Sequence, residues 1–194
     1  MATPRSTPHR LDRRRLVTGV AWAAPIAAVA TAAPAVAASP QPGLQGRVTL
    51  TRNCSGGRAT IQADSAGNYP ERGLWAEGVR ENTSVTGATV VLYLPSSVFP
   101  TSTTWTRNTS DTVWSVFQST TAVPQKRGFN AWSSTYSGTW QYRATERIKF
   151  ATGVLNQTTS RGTACPSSLQ AYALRIVTID GKQYSFERGP VTLQ

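Results

Sequence analysis

The side chains that most often perform catalysis are scarce in this chain. Among 194 residues the only histidine is His9, and the only cysteines are Cys54 and Cys165. Residues beyond the first forty therefore offer no imidazole to complete a Ser-His-Asp triad, to activate a thiol or to bind a metal ion. The sequence also lacks a Ser-x-x-Lys pair, a Gly-Lys-Ser/Thr phosphate loop and an Asp-x-Asp-x-Asp run. These absences predict a protein without a cofactor or a metal site.

Paired carboxylates are the one catalytic chemistry that remains open. Glycoside hydrolysis needs two acids at a defined separation, with aromatic rings nearby to stack on sugars. Glu77 beside Trp75, and Glu146 near Trp140, are the candidates. Eight carboxylates follow residue 38, and a β-protein with eight acids produces such pairs by chance. We therefore interpret them as surface acids and keep a glycan-active enzyme as the alternative.

Aromatic residues offer a possible binding surface instead. Five tryptophans follow residue 38, and most are expected in the core, although tryptophan also serves as a platform for sugars and partners. The segment 129–136 is turn-rich and is bracketed by two glycines. It predicts an exposed aromatic loop in which Phe129, Trp132 and Tyr136 form a ligand platform.

The first 38 residues have the pattern of a secretory signal peptide. Five arginines and one aspartate precede Leu16, and no charged residue lies between Leu16 and Ala38. A basic segment, an apolar stretch and a small-residue exit are typical of such leaders, and we expect cleavage after Ala37 or Ala38. The uncharged stretch is long enough for a membrane anchor, but alanines contribute little transfer energy and two prolines interrupt a helix.

The basic part of this leader resembles a twin-arginine export signal. Residues 12–17 read Asp-Arg-Arg-Arg-Leu-Val, with Arg13 and Arg14 as the paired arginines and two apolar residues after one further position. Leu16 stands where phenylalanine is commoner in that signal. The resemblance implies that the twin-arginine export machinery is a partner, that the chain crosses the membrane folded, and that it meets the membrane only during export.

The expected export places the two cysteines in an oxidising compartment. In an oxidising compartment two cysteines are expected to pair, so Cys54 and Cys165 predict one disulfide. Their separation of 111 residues makes the closed loop long, and a long loop increases the entropic stabilisation from the bond. The alternative of a thiol nucleophile lacks a histidine base.

The charge of the mature chain points to anionic partners outside the cell or to solubility. Residues 39–194 carry fifteen Lys and Arg against eight Asp and Glu, a net charge of +7. Nucleic-acid binders cluster their basic residues, whereas here only Lys126 and Arg127 are adjacent, so no nucleic-acid partner is expected. Anionic wall polymers or glycans are the expected long-range partners, and charge kept for solubility is the alternative.

Hydrophobic residues in the mature chain alternate with the period of strands. The segments with this pattern are 47–51, 58–62, 86–94, 103–106, 112–117, 139–143 and 147–151. A C-terminal hairpin is predicted from 171–179 and 183–188, because Asp180-Gly181 between them suits a two-residue turn. Pro190 should end this pairing or mark a sheet edge.

Two further stretches each combine signals for different structures. The segment 71–82 could present a helical face, but its glycines disfavour a helix, so strand–turn–strand is predicted. The segment 95–124 has fourteen Ser and Thr among thirty residues, which suits a disordered stalk. Its two tryptophans and its phenylalanines are too apolar for a stalk, and we predict a strand pair with polar loops.

The residues around the strongest strand resemble bacterial surface immunoglobulin-like modules. The resemblance is carried by residues 78–83 and 85–95, Gly-Val-Arg-Glu-Asn-Thr and Val-Thr-Gly-Ala-Thr-Val-Val-Leu-Tyr-Leu-Pro. The whole chain is also similar to small actinobacterial secreted proteins with twin-arginine leaders. These resemblances imply an immunoglobulin-like β-sandwich and no particular activity.

Together these patterns predict an all-β protein with a twin-arginine signal peptide at 1–38 and a single immunoglobulin-like β-sandwich domain at 39–194. We expect a bacterial protein that is secreted or associated with the cell wall, is not an enzyme, and acts as an adhesive or binding module. A secreted glycan-active enzyme and a purely structural wall component are the alternatives.

Replacing Arg13 and Arg14 by lysine is expected to leave the precursor in the cytoplasm, because the twin-arginine resemblance places recognition on this pair. Fractionation of cells and medium, followed by immunoblotting, measures the outcome. Undiminished secretion of the variant would indicate a general secretory leader.

Overall fold

The computed structural model describes residues 42–194, and all regular structure in this range is β. The all-β fold class predicted from the sequence is confirmed. No helix in this range is long and apolar enough to cross a membrane. The predicted leader, with Arg13, Arg14, Ala37 and Ala38, lies outside the described residues and stays a prediction.

Thirteen strands form three antiparallel sheets within residues 42–194. The strands are β1 (Gly43–Arg47), β2 (Thr49–Ser55), β3 (Arg58–Asp64), β4 (Gly73–Glu77), β5 (Val85–Pro95), β6 (Trp105–Arg107), β7 (Gln118–Ser119), β8 (Phe129–Thr135), β9 (Trp140–Arg143), β10 (Ile148–Ala151), β11 (Asn156–Thr159), β12 (Leu169–Ile179) and β13 (Lys182–Leu193). One four-stranded sheet has the order β1-β4-β10-β9 and the other has β2-β3-β11-β6. The five-stranded sheet has the order β13-β12-β5-β8-β7.

Strand β5 of the five-stranded sheet contributes side chains to two hydrophobic cores, one on each face of the sheet. Its inward row, Val90, Leu92 and Leu94, belongs to the main core. Its outward row, including Val91 and Tyr93, belongs to a second, smaller core. A run of β-branched and apolar residues suits a strand that is buried on both faces, because no position along it needs to be polar.

The main core lies between the inward face of the five-stranded sheet and the two four-stranded sheets. It joins Trp132 of β8 to Ile61 of β3, Leu74 of β4 and Trp105 of β6. This packing of sheet against sheet confirms a sandwich-like arrangement. An immunoglobulin domain has two sheets of seven to nine strands in total, so the three-sheet arrangement here exceeds that plan.

The C-terminal hairpin forms as predicted and extends further. Asp180 and Gly181 both adopt positive φ, 47° and 78°, as the two-residue turn requires. Strand β13 continues past Pro190 to Leu193 and forms an edge of the five-stranded sheet. Proline is tolerated there because a register shift between Arg188 and Val191 leaves Pro190 out of the pairing with β12.

Several strands differ from the sequence prediction. Segment 73–77 is strand β4 and is followed by a turn, as expected from strand–turn–strand. Four strands, β1, β7, β8 and β11, were not predicted. Segment 112–117 makes only an isolated bridge, from Trp114 to Tyr136, because side-chain hydrogen bonds replace a regular ladder there.

The predicted disulfide between Cys54 and Cys165 is confirmed, with the two Cα atoms 5.9 Å apart. Cys54 lies near the end of β2, and Cys165 lies in the connection between β11 and β12. The bond therefore ties the second four-stranded sheet to the segment that enters the five-stranded sheet.

Replacing both cysteines by alanine is expected to lower the free energy of unfolding by ~2–5 kcal/mol, because the unfolded chain regains the freedom of the 111-residue loop. Urea denaturation without reductant measures the change. Dithiothreitol serves as the control: it should destabilise the natural protein and leave the double variant unaffected. Equal stability of the two proteins without reductant would contradict the prediction.

Candidate functional site

The predicted aromatic platform is wrong, because its residues are packed rather than exposed. Segment 129–135 is strand β8, which pairs with β5 and β7. Trp132 is 0% exposed and donates its Nε1–H to the Thr103 carbonyl at 3.3 Å. Tyr136 is 7% exposed, and its ring lies 5.0 Å from that of Trp114. Phe129 is half-buried and packs against the second core.

Polar residues on β8 made this strand resemble a loop in the sequence. Ser134 is completely buried and donates a hydrogen bond to the Ser115 carbonyl at 2.6 Å. Asn130 likewise donates to the Phe99 carbonyl at 2.9 Å. A buried polar side chain is stable when it is hydrogen-bonded. Backbone carbonyls of neighbouring loops accept these hydrogen bonds, so Ser134 and Asn130 can lie in a packed strand.

The carboxylate candidates do not form an evident catalytic pair. The carboxylate of Glu77 accepts a hydrogen bond at 2.9 Å from Nε1 of Trp75, which is itself buried. Glu146 is exposed in the turn between β9 and β10. Trp140 is half-buried and packs edge-on against Tyr136. Neither tryptophan presents an open ring face beside its acid.

A buried arginine is the unusual feature of the described structure. Arg175 lies in the middle of β12, on the same face as Ala171 and Val177 of the main core. It is only 2% exposed. The signal was present in the sequence, since the alternating segment 171–179 places this charge in an apolar row. Arginine is rarely so buried without a partner.

Only some of the hydrogen-bond donors of the Arg175 guanidinium have a partner. Its Nη1 donates to the backbone carbonyl of Gly46 in β1 at 2.6 Å. Its Nε is buried and has no hydrogen-bond partner. Within residues 42–194 the ion pair between Lys126 and Glu187 is the only one, so no acid neutralises Arg175.

The surroundings of Arg175 disfavour the charged form of its guanidinium. Burial, and then the positive charge of Arg188, lower the pKa of the Arg175 guanidinium to about 10. That pKa remains well above neutral pH, so the group is charged under ordinary conditions. A buried charge without a counter-ion destabilises a fold, by several kcal/mol in typical proteins.

Arg175 borders a cavity of about 210 Å³, which we call the arginine pocket. Arg47 and Arg188, both exposed residues, also line it. Its apolar wall consists of Val48, Leu50, Ala171, Ala173 and Val191. The pocket lies where β1 and β2, from the two four-stranded sheets, meet β12 and β13 of the five-stranded sheet.

The acid next to Arg188 in the sequence does not enter this pocket. Glu187 pairs in register with Leu174, whose side chain belongs to the second core on the opposite face. The Glu187 carboxylate is 2.8 Å from Nζ of Lys126, and this hydrogen bond raises the pKa of the lysine. The pocket therefore has three guanidinium groups and no carboxylate among its lining residues.

Gly46 allows the close approach that creates the contact with Arg175. Its φ is +106°, which side chains other than glycine's hydrogen rarely permit. A Cβ atom at this position would lie 2.0 Å from the Gly73 carbonyl oxygen in the paired strand β4. The glycine thus holds β1 against β4 and fixes the carbonyl that accepts from Arg175.

The residues that line this pocket are suited to binding an anion. The lining offers cationic donors, apolar groups and the hydroxyl of Thr49. Within residues 42–194 there is no cluster of three or more His, Cys, Asp or Glu that could hold a metal ion. Guanidinium groups favour carboxylate and phosphate oxygens, because their planar N–H groups match those acceptors.

A second cavity, of about 380 Å³, differs in character. It lies beside Gly67, Gly73 and Phe150, and its lining residues include no ionisable side chain. It has no group that would select a charged ligand. The arginine pocket is therefore the stronger candidate site.

Replacing Gly46 by alanine is expected to lower the free energy of unfolding by about 2–4 kcal/mol, from backbone strain plus the clash with Gly73. Gly57→Ala is the matched control, since Gly57 also has positive φ, +71°, but no atom within 4 Å of an added Cβ. The control should lose only about 1 kcal/mol. Urea denaturation measures both, and equal losses would argue against a close approach at Gly46.

Comparison with known proteins does not assign this chain to a family. No protein-family model, curated protein sequence or solved structure matches the chain. The pocket, with its three arginines, its apolar wall and its unneutralised charge, is the basis for a functional proposal.

Proposed function

We propose that this protein is an exported, non-catalytic binding module that holds an anionic ligand in the arginine pocket. The observation that carries the proposal is Arg175, which is almost fully buried, charged at neutral pH and without an acid partner among the described residues. A bound anion would supply the missing counter-charge and so offset the cost of burying the guanidinium.

The geometry favours a ligand oxygen at the guanidinium. The Nη1 of Arg175 is occupied by Gly46, which fixes the orientation of the planar group. Arg175 lines the pocket, and Arg47 and Arg188 add positive charge at its exposed part. A fixed guanidinium loses little conformational freedom when it binds, so more of the interaction energy is available for affinity.

The setting that we propose is the bacterial envelope or medium. The leader with Arg13 and Arg14 supports export through the twin-arginine machinery, and the disulfide between Cys54 and Cys165 is compatible with an oxidising compartment. The net charge of +7 over residues 39–194 would attract anionic wall polymers or glycans at long range. The single mature domain would then act as an adhesive or binding module.

Titration with sodium acetate at constant ionic strength, with chloride replaced stepwise, tests the proposal. Amide chemical shifts of the isotope-labelled protein should change saturably around Gly46, Arg175 and Arg188. Arg175→Met should abolish the response, because it removes the buried donor while keeping apolar volume. Arg188→Gln, at an exposed position, should weaken it at least threefold without risk to the fold.

Arg127→Gln is the matched control, since it removes one exposed charge outside the pocket. It should bind acetate as the natural protein does. Equal, unsaturable shifts in all variants would show general screening and would refute an anion site. The same result would favour the alternative of a purely structural wall component.

A further inference from the structure

The apolar wall of the arginine pocket has no role in binding a simple inorganic anion. Five of the ten residues that line the cavity are aliphatic, and they stand beside the guanidinium groups. Val191 is 48% exposed, although it lies on the inward-facing row opposite Ala171. Large apolar side chains are normally covered in that row, so the pocket leaves apolar surface unfilled.

Arg175 and Val191 lie at different depths of the pocket. Arg175 is the most deeply buried of the three arginines, and Val191 lies at the solvent-exposed part. Phe186, the neighbour of Arg175 in the register of β13, is 44% exposed on the same face. A ligand that places its anionic group at Arg175 would therefore lie with its remaining atoms along aliphatic surface.

The cavity volume limits the size of those remaining atoms. A protein cavity of about 150 Å³ lined by apolar side chains accepts benzene. The arginine pocket, at about 210 Å³, has room for a carboxylate and a group of about six carbons. Larger ligands would extend over Val191 towards solvent.

We infer that the ligand of the arginine pocket is a carboxylate attached to an apolar group of about six carbons, with its oxygens at Arg175 and its carbons against Val48, Leu50 and Val191. This inference rests on the proposed function and adds the chemical class of the ligand. Such a group occurs in a free short-chain acid and at the C-terminus of a peptide that ends in an aliphatic residue.

Phosphate and sulfate fit the same pocket less well. They would pair with the guanidinium groups but would leave the solvent-exposed parts of Val48, Leu50 and Val191 uncovered. Apart from the arginines, the only lining residues with a polar side-chain group are Thr49 and Tyr172, and the Tyr172 ring packs against Phe129 in the second core. A carboxylate uses two oxygens, and its apolar carbons remove the aliphatic wall from water.

Isothermal titration calorimetry with hexanoate, acetate and hexanol, at one ionic strength, separates charge from apolar contact. Each buried methylene strengthens binding about fourfold, which corresponds to about 0.8 kcal/mol. Hexanoate has four more methylenes than acetate, so it should bind at least tenfold more tightly even if only two are buried. Hexanol, without the anion, should bind at least tenfold more weakly than hexanoate.

Acetyl-alanyl-leucine represents a peptide C-terminus in the same experiment, and its amidated form removes the carboxylate. Tighter binding than hexanoate would support the inference with a peptide as the source of the carboxylate. Weaker binding would support it with a free acid as the source. Equal binding of the peptide and its amide would overturn a carboxylate requirement.

Variants test the two halves of the pocket. Val191→Thr keeps the side-chain shape and position, and it should reduce the ratio of hexanoate to acetate affinity about threefold. Arg175→Met should abolish binding of both acids, and Arg127→Gln should change neither. Equal affinities for hexanoate and acetate would overturn this inference and leave the anion site intact. Absence of binding by either acid would refute the proposed function as well.

Discussion

The fold depends on burying both faces of the paired strands β5 and β12. Their inward rows form the main core with both four-stranded sheets, and their outward rows form a second core with residues such as Val123 and Phe129. Two apolar faces make the register of this pair costly to change, because a slip by one residue would exchange the two cores. The other strands pack around this pair.

Polar side chains hold the irregular segments against this framework. Gln157 of β11 is 1% exposed, yet it accepts a hydrogen bond from the Phe117 amide and donates to the Ser115 carbonyl. Ser65 similarly accepts from the Leu155 amide. Loops can lie over a core when such bonds satisfy their backbone groups. The rich Ser and Thr content of the segment 95–124 is consistent with this use and not with a disordered stalk.

Arg175 departs from this pattern of satisfied groups, as do the unpartnered Nε1 of Trp105 and Nε of Arg107. It occupies a position where its neighbours in the row, such as Ala173 and Val177, are apolar, and its hydrogen bond to Gly46 leaves its charge uncompensated. The same low-polarity surroundings that make the isolated charge unfavourable would strengthen its attraction to a bound anion. Stability lost in the free protein and affinity for a ligand would thus have one physical origin.

Local sequence determined the all-β class and the Asp180-Gly181 hairpin, because alternation and turn chemistry act over short range. It also determined the pairing of Cys54 with Cys165, because two cysteines allow only one disulfide within the chain. Tertiary structure alone decided that Trp132 is buried in a strand and that Arg175 lies beside a cavity. A polar or charged side chain is stable in a buried position only when distant segments surround it, here the carbonyls of Ser115 and Gly46. Those partners lie far away in sequence or on other strands, so no local pattern could identify them.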